Sequence, residues 1–132
     1  MPRINTKQSY DLEEKFEQLG EKIIILTKKA AKNAVTLPII SQLVRAGTSI
    51  GANYIENPDK GRMEANGASS KKDFKNKIHI CKKEAKETMH WLRMLAQADA
   101  SVKSECRKLW LETQGYAKMF SKILSTIKSN KN

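Results

Sequence analysis

Residues 102–127 read VKSECRKLWLETQGYAKMFSKILSTI, and this stretch decides the fold. Its apolar or small side chains recur at alternating spacings of four and three residues. They are Val102, Cys106, Leu109, Thr113, Tyr116, Phe120, Ile123 and Ile127. That spacing places them along one face of an α-helix. A stripe of this length is typical of helices that pack nearly parallel, at shallow crossing angles.

Three earlier segments carry the same kind of pattern, and the links between segments are short. The four helices are predicted at residues 9–34, 37–57, 70–98 and 102–128. Their predicted N-caps are Ser9, Thr36, Ser70 and Ser101, and Pro58 ends the second helix. No stretch has the period of two that a strand requires. We therefore predict an all-α, up-down-up-down antiparallel four-helix bundle, in one domain spanning residues 1–132.

The charge balance is strongly positive. The chain has 25 Lys and Arg residues against 14 Asp and Glu residues, a formal net charge of +11. Such an excess favours acidic partners, which include nucleic acid, an anionic membrane surface and acidic proteins. A lysine-rich, solvated surface explains the same charge without a partner, and composition does not separate the two interpretations.

Cations line one flank of the predicted third helix. The core stripe of that helix is Phe74, Ile78, Cys81, Ala85, Thr88, Leu92 and Leu95. Beside it, at 100° per residue, five cations fall within about 60° of one another: Lys71, Lys75, Lys82, Lys86 and Arg93. Lys72 and Lys83 lie just beyond them, and we name all seven residues the cation ladder. Such a ladder could neutralise nucleic-acid phosphates without reading base sequence. The competing interpretation is a solubilising helix face, because no nucleic-acid-binding motif accompanies the ladder.

Two glycines lie inside the predicted second helix. Gly47 and Gly51 should each cost about 1 kcal/mol relative to alanine in a helix interior. We expect them where a neighbouring helix backbone approaches closely. A helix broken near Gly47 is the alternative.

The second helix also has a polar side, which carries Arg45, Asn53 and Glu56. A solvated face explains this side. The sharper hypothesis is a polar network in which Arg45 reaches Glu84 or Glu87 on another helix. Such a network would set the helix register or a subunit contact.

The second flank of the third helix mixes apolar and acidic residues. Its members are Ile80, Glu84, Glu87, Trp91 and Met94. A wide core contact explains them, and so does a subunit interface, where aromatic and methionine side chains are enriched. The apolar residues Ile24 and Ile25 of the first helix favour self-association.

No catalytic or metal-binding constellation is present. Cys81 and Cys106 fall in apolar phase, where a cysteine behaves as a small hydrophobic residue. Glu-x-x-His occurs once, from Glu87 to His90, whereas a diiron bundle needs two copies. The sequence shows neither a phosphate-binding loop nor a nucleophile elbow. We predict no metal, no cofactor and no enzymatic activity.

The chain also lacks the signals of membrane insertion and secretion. No run of about 18 apolar residues occurs, so we expect no membrane partner. Residues 1–18 are polar and charged, unlike the apolar core of a signal peptide. We expect a cytoplasmic protein whose two cysteines are reduced.

Two longer stretches resemble the signatures of one bacterial family. Residues 42–56 read QLVRAGTSIGANYIE, and further matches are residues 73–74 (DF), 78–81 (IHIC), 83–88 (KEAKET) and 91–92 (WL). These stretches resemble the bacterial four-helix-bundle proteins, also called 23S rRNA intervening-sequence proteins. The resemblance covers about residues 12–120. One departure follows Glu56, where the family commonly has a small residue and this chain has Asn57 and Pro58.

The resemblance implies a ring-shaped homopentamer of up-down bundles. Some relatives are encoded inside insertions in large ribosomal RNA genes. A more distant relative, the accessory protein of diversity-generating retroelements, is a basic pentamer that binds reverse transcriptase and nucleic acid. The family implies no catalytic residues to carry over.

These observations support two functional hypotheses. The first is a non-enzymatic, homo-oligomeric protein that binds RNA or DNA through backbone electrostatics at the cation ladder. The alternative is an interaction scaffold or accessory subunit for an acidic or nucleic-acid-processing protein, contacted through Ile80, Trp91 and Met94.

Overall fold

The computed structural model describes residues 6–56 and 68–129, with side chains at 11–56 and 72–127. This part of the chain forms α1 (Thr6–Lys29), α2 (Thr36–Ile55), α3 (Ala68–Ala98) and α4 (Lys103–Ser129). One 3₁₀ turn, Ala100–Val102, joins α3 to α4, and no strand occurs in either described range. Consecutive helices pack against each other. The predicted all-α four-helix bundle is confirmed.

The predicted core stripes meet in one apolar cluster. All seven predicted core residues of α3 are buried. Phe16 of α1 lies near the centre, with its ring centroid 5.1 Å from those of both Tyr54 and Tyr116. The Phe120 centroid lies 5.4 Å away. These aromatic contacts join α1 to α2 and α4.

The core stripe of α4 drifts slightly from the predicted one. Tyr116 and Ile123 are only half-buried, whereas Ala117 and Leu124 are buried. The predicted positions repeat every 3.5 residues, while a straight α-helix has 3.6 residues per turn. The buried face therefore rotates around α4 along its length.

The link between α1 and α2 begins earlier than predicted. α1 ends at Lys29 instead of residue 34. The Lys32 ammonium donates to the carbonyl oxygens of Thr27 and Lys28, at 2.6 and 3.2 Å, and so satisfies the end of α1. The Asn33 Oδ1 accepts from the backbone N–H of Thr36 at 2.9 Å. Asn33, instead of the predicted Thr36, therefore caps α2.

A second capping residue differs from the prediction. Asp99, instead of Ser101, precedes the 3₁₀ turn and accepts from the backbone N–H of Ser101 at 3.0 Å. Its other carboxylate oxygen accepts from the backbone N–H of Ala31 at 2.9 Å. These bonds, with Ala31 the largest cause, lower the pKa of the Asp99 carboxyl. Asp99 thus ties together the two links at this end of the bundle.

The remaining predicted boundaries differ from the observed ones by up to three residues. Ser9 and Ser70, predicted as N-caps, lie inside α1 and α3, because no Gly or Pro stops the helix in the residues just before them. The predicted stop at Asn57 and Pro58 lies outside the described residues.

The glycines of α2 lie where α1 approaches. α2 is continuous through Gly47 and Gly51, and both residues are buried. A Cβ built on Gly47 would overlap the Cδ1 of Ile23. On Gly51 it would lie 3.5 Å from the backbone carbonyl carbon of Phe16. The predicted close approach is confirmed, and the predicted alternative of a broken helix is wrong.

Replacing Gly47 with Leu should lower the free energy of unfolding by about 1–3 kcal/mol, because the added side chain overpacks the contact with Ile23. Denaturant unfolding measures the change. Gly115→Ala is the control, since a Cβ there meets no atom within 4 Å. That control should stabilise the protein by up to about 1 kcal/mol. Equal stability of Gly47→Leu and wild type would contradict the close packing.

Candidate nucleic-acid interface

The cation ladder lies on the outer surface of α3. The core stripe of this helix is buried, so the neighbouring flank turns towards solvent. Lys75 and Lys82 are half-buried, and the more exposed members are Lys72, Lys83, Lys86 and Arg93. The side chain of Lys71 lies outside the described residues. At 1.5 Å per residue, the ladder extends about 27 Å from Lys75 to Arg93.

Within the described residues, acidic side chains do not pair with the ladder cations. Among the described side chains, the ion pairs of this protein involve Lys22, Lys29, Arg45 and Lys77. None of these four belongs to the ladder. Six ladder side chains, all except Lys71, therefore project positive charge from one helix without a paired carboxylate in the described ranges.

The middle of the ladder borders a shallow depression. Lys82, Lys83 and Lys86 line it together with His79 and His90. Glu87 contributes a carboxylate at one edge, and that carboxylate already accepts a hydrogen bond from Arg45. The depression therefore suits an anion better than a cation.

The end of the ladder meets α4, where the structure adds residues that the sequence analysis missed. Arg93 lines a groove with Lys103, Arg107 and Trp110. The three α4 residues follow an i, i+4, i+7 spacing, which places them on one helix face. The spacing in the sequence was sufficient to predict that the three α4 residues share a face. It was not sufficient to predict that Arg93 of α3 lies next to them.

A polar network joins α2 to α3. The Nη1 of Arg45 lies 3.2 Å from the Oε1 of Glu84, and its Nη2 donates to Glu87. The hydrogen bond to Glu87 is the largest cause that raises the pKa of Arg45. The Arg45 side chain is 46% exposed, whereas that of Glu84 is only 13% exposed. Arg45 therefore compensates a carboxylate that has lost most of its water.

The other residues of this polar side have separate partners. The Nζ of Lys77 lies 3.3 Å from the Oε1 of Glu56, which adds a second ion pair between α2 and α3. The amide of Asn53 donates to the carbonyl oxygen of Ser49, one turn earlier in its own helix. Arg45 and Glu56 thus bridge helices, whereas the observed bond of Asn53 is local.

The apolar part of the second flank is partly covered. Trp91 is half-buried and packs against the core cluster, and its ring centroid lies 4.7 Å from that of His90. Met94 is also half-buried, and Ile80 is 37% exposed. Much of the flank thus belongs to the edge of the bundle, with Ile80 its most open apolar member.

The thiols are buried among core side chains. Burial is the largest cause that raises the pKa of Cys81 to about 12 and that of Cys106 to about 11. Both groups are therefore protonated near neutral pH and are weak nucleophiles. Among the described residues, no cluster of three or more His, Cys, Asp or Glu side chains could hold a metal ion. In the same part of the chain, no helix is long and apolar enough to cross a membrane.

Comparison with known proteins identifies one family. The family described as 23S rRNA-intervening sequence protein matches residues 8–122, which is most of the chain. No curated protein and no solved structure matches the chain.

Replacing Arg45 with Gln should lower the free energy of unfolding by about 1 kcal/mol, because Glu84 keeps its charge and loses its partner. A double-mutant cycle with Glu84→Gln isolates the pair. We expect the second replacement to cost less in the Arg45→Gln background than in the wild type. Strictly additive effects would show that the contact contributes nothing to stability.

Proposed function

This chain is a member of the 23S rRNA-intervening sequence protein family, and on that premise we propose a non-enzymatic, homo-oligomeric protein that binds nucleic acid electrostatically. The cation ladder is the contact surface in this proposal. The observation that carries it is the row of six cations on α3 that have no carboxylate partner in the described residues.

The geometry of the ladder favours phosphate contacts over base recognition. Lysine ammonium groups are flexible point charges that suit phosphate oxygens. A single exposed helix flank offers few groups placed to read base edges. Binding is therefore expected to be independent of base sequence and strongly weakened by salt.

Self-association would multiply such weak contacts. Several large apolar side chains are exposed on the single chain, among them Ile25 at 55% and Leu111 at 49%. Covering them with further copies of the chain would remove apolar surface from water. In a ring, several ladders would act on one nucleic acid, and their avidity would exceed the affinity of one subunit.

Replacing Lys75, Lys82 and Lys86 together with Gln should spare folding and weaken binding to RNA and DNA. Each lost phosphate contact reduces the slope of log affinity against log salt by roughly 0.7 to 0.9. The slope should therefore become shallower by about 2 to 3 for the triple variant. Fluorescence anisotropy with an oligonucleotide of about 20 nucleotides, at several salt concentrations, measures both quantities.

The matched control replaces Lys15, Lys28 and Lys108 with Gln. These lysines are exposed on α1 and α4, have no ion pair in the described residues, and carry the same total charge. The control should bind nearly as tightly as the wild type. If both triple variants lose affinity equally, only net charge matters and the ladder is not the site. If the wild type does not bind at low salt, the proposal fails.

The mass of the wild-type protein in solution tests the oligomeric part. The family resemblance implies a pentamer, so light scattering should give five times the 15.0 kDa of one chain. Ile25→Glu should shift the mass towards that of the single chain if α1 lies in the subunit contact, because a carboxylate would then be buried. A wild-type mass of 15.0 kDa at all concentrations would contradict self-association.

The alternative is a scaffold for an acidic or nucleic-acid-processing protein. The observation that favours it is Ile80, which is exposed on the same flank of α3 as Trp91. Ile80→Glu separates the alternatives. That substitution should abolish capture of a protein partner but should barely change oligonucleotide binding. A partner retained after nuclease treatment and lost in Ile80→Glu would favour the scaffold.

A further inference from the structure

A groove lies between α3 and α4 at the end of the cation ladder. Its apolar lining comes from both helices, with the half-buried Ala96 of α3 and Trp110 of α4 lying above the buried Leu92 and Cys106. The indole of Trp110 borders it, and Arg93, Lys103 and Arg107 line it from two helices. The groove therefore combines an aromatic ring, an apolar lining and three cations.

The charges of this groove lack any compensating acid. No Asp or Glu lines it, and none of its three cations forms an ion pair in the described part of the chain. Lys103 and Arg107 are one turn apart on α4, where like charges repel each other. Arg93 adds a third positive charge from α3. A bound anion would relieve this repulsion, so charge complementarity favours an anionic occupant.

Trp110 offers an aromatic surface on which a flat ligand could stack. It is half-buried and packs against the core cluster, and its exposed part borders the groove. Its indole N–H donates no hydrogen bond to the described residues. An aromatic ring held by the core loses little conformational freedom when a flat ligand stacks on it. A nucleobase is such a ligand, and its phosphates match the three cations.

We infer that this groove binds an unpaired nucleotide, with the base against Trp110 and the flanking phosphates on Arg93, Lys103 and Arg107. This inference rests on the proposed function, because Arg93 is also the last cation of the ladder. It lies seven residues, or about 10 Å, beyond Lys86 along the helix axis. A strand that follows the ladder therefore reaches the groove.

A stacking site at Trp110 would make the protein prefer some nucleic acids over others. The bases of an intact duplex stack on each other, so only an unpaired base can stack on Trp110. The protein should thus favour single strands, frayed ends or loops over blunt duplexes. An acidic peptide also fits the three cations, but its carboxylates have no planar ring for the indole.

The fluorescence of Trp110 tests the contact directly. The chain has two tryptophans, so Trp91→Phe leaves Trp110 as the only one. The probes are a single-stranded oligonucleotide of about 12 nucleotides, an abasic oligonucleotide of equal charge, a blunt duplex and polyglutamate. The single strand should quench Trp110 and bind roughly 5- to 100-fold more tightly than the abasic probe.

Substitutions identify the residues responsible. Trp110→Leu should remove the preference for the base-containing strand while the affinity for the abasic probe stays unchanged. Arg107→Gln should weaken binding of the single strand about tenfold. This variant retains Trp110, so it still tests the groove if Trp110→Leu does not fold. Lys108→Gln is the matched control, because its side chain lines a different groove, between α1 and α4. It should change the affinity by less than about twofold.

The results distinguish a failure of the groove proposal from a failure of the ladder proposal. Equal affinities for the single strand and the abasic probe would overturn the groove and leave the proposed function standing. Quenching by polyglutamate as strong as that by the single strand would assign the groove to an acidic peptide. A dinucleotide is too short to span the ladder, which extends about 27 Å from Lys75 to Arg93. Equal quenching of Trp110 by the dinucleotide in the Lys75, Lys82 and Lys86 triple variant and in the protein with an intact ladder would support nucleotide binding in the groove even if the ladder proposal fails.

Discussion

The rotation of α3 about its own axis is the constraint on which the molecular surface depends. Phe74, Ile78, Leu92 and Leu95 are each at most 2% exposed. Exposing four such side chains would cost about 6–12 kcal/mol, at 1.5–3 kcal/mol each. This is comparable to the whole stability of a small domain. No interaction of a surface lysine reaches that magnitude, so the apolar stripe decides the rotation and the lysines follow.

The two edges of α3 then acquire different electrostatic characters. At the edge facing α2, Arg45 and Lys77 bring cations next to carboxylates, and these charges largely cancel. At the edge facing α4, the six ladder cations with described side chains have no such partners among the described residues. At an ionic strength of 0.1 M, charges are screened beyond about 10 Å, so the ladder attracts an anion mainly at short range. The proposed binding of nucleic acid would therefore depend on direct contact with phosphates more than on the net charge of the chain.

Periodicity in the sequence was sufficient to predict the helices and their buried faces, because each stripe repeats within one segment. The end of α1 was not predictable in this way. It depends on Lys32 and Asn33 finding backbone partners, and on Asp99 reaching Ala31 from a distant link. Such contacts appear only when the links lie side by side. The pairing of Arg45 with Glu84 and Glu87 could be hypothesised from the sequence, because the helical phase of each residue limits which carboxylates Arg45 can reach.

The groove at Trp110 illustrates what periodicity alone cannot provide, namely the register between two helices. Moving α3 by one turn relative to α4 would displace Arg93 by about 5.4 Å and separate it from Lys103 and Arg107. The bonds of Asp99 fix the link between α3 and α4 at the same end as the groove. Farther along α3, Arg45 holds the helix against α2 through two carboxylates. The proposed anion-binding groove therefore depends on Asp99, which does not line it but fixes the link that sets the register between α3 and α4.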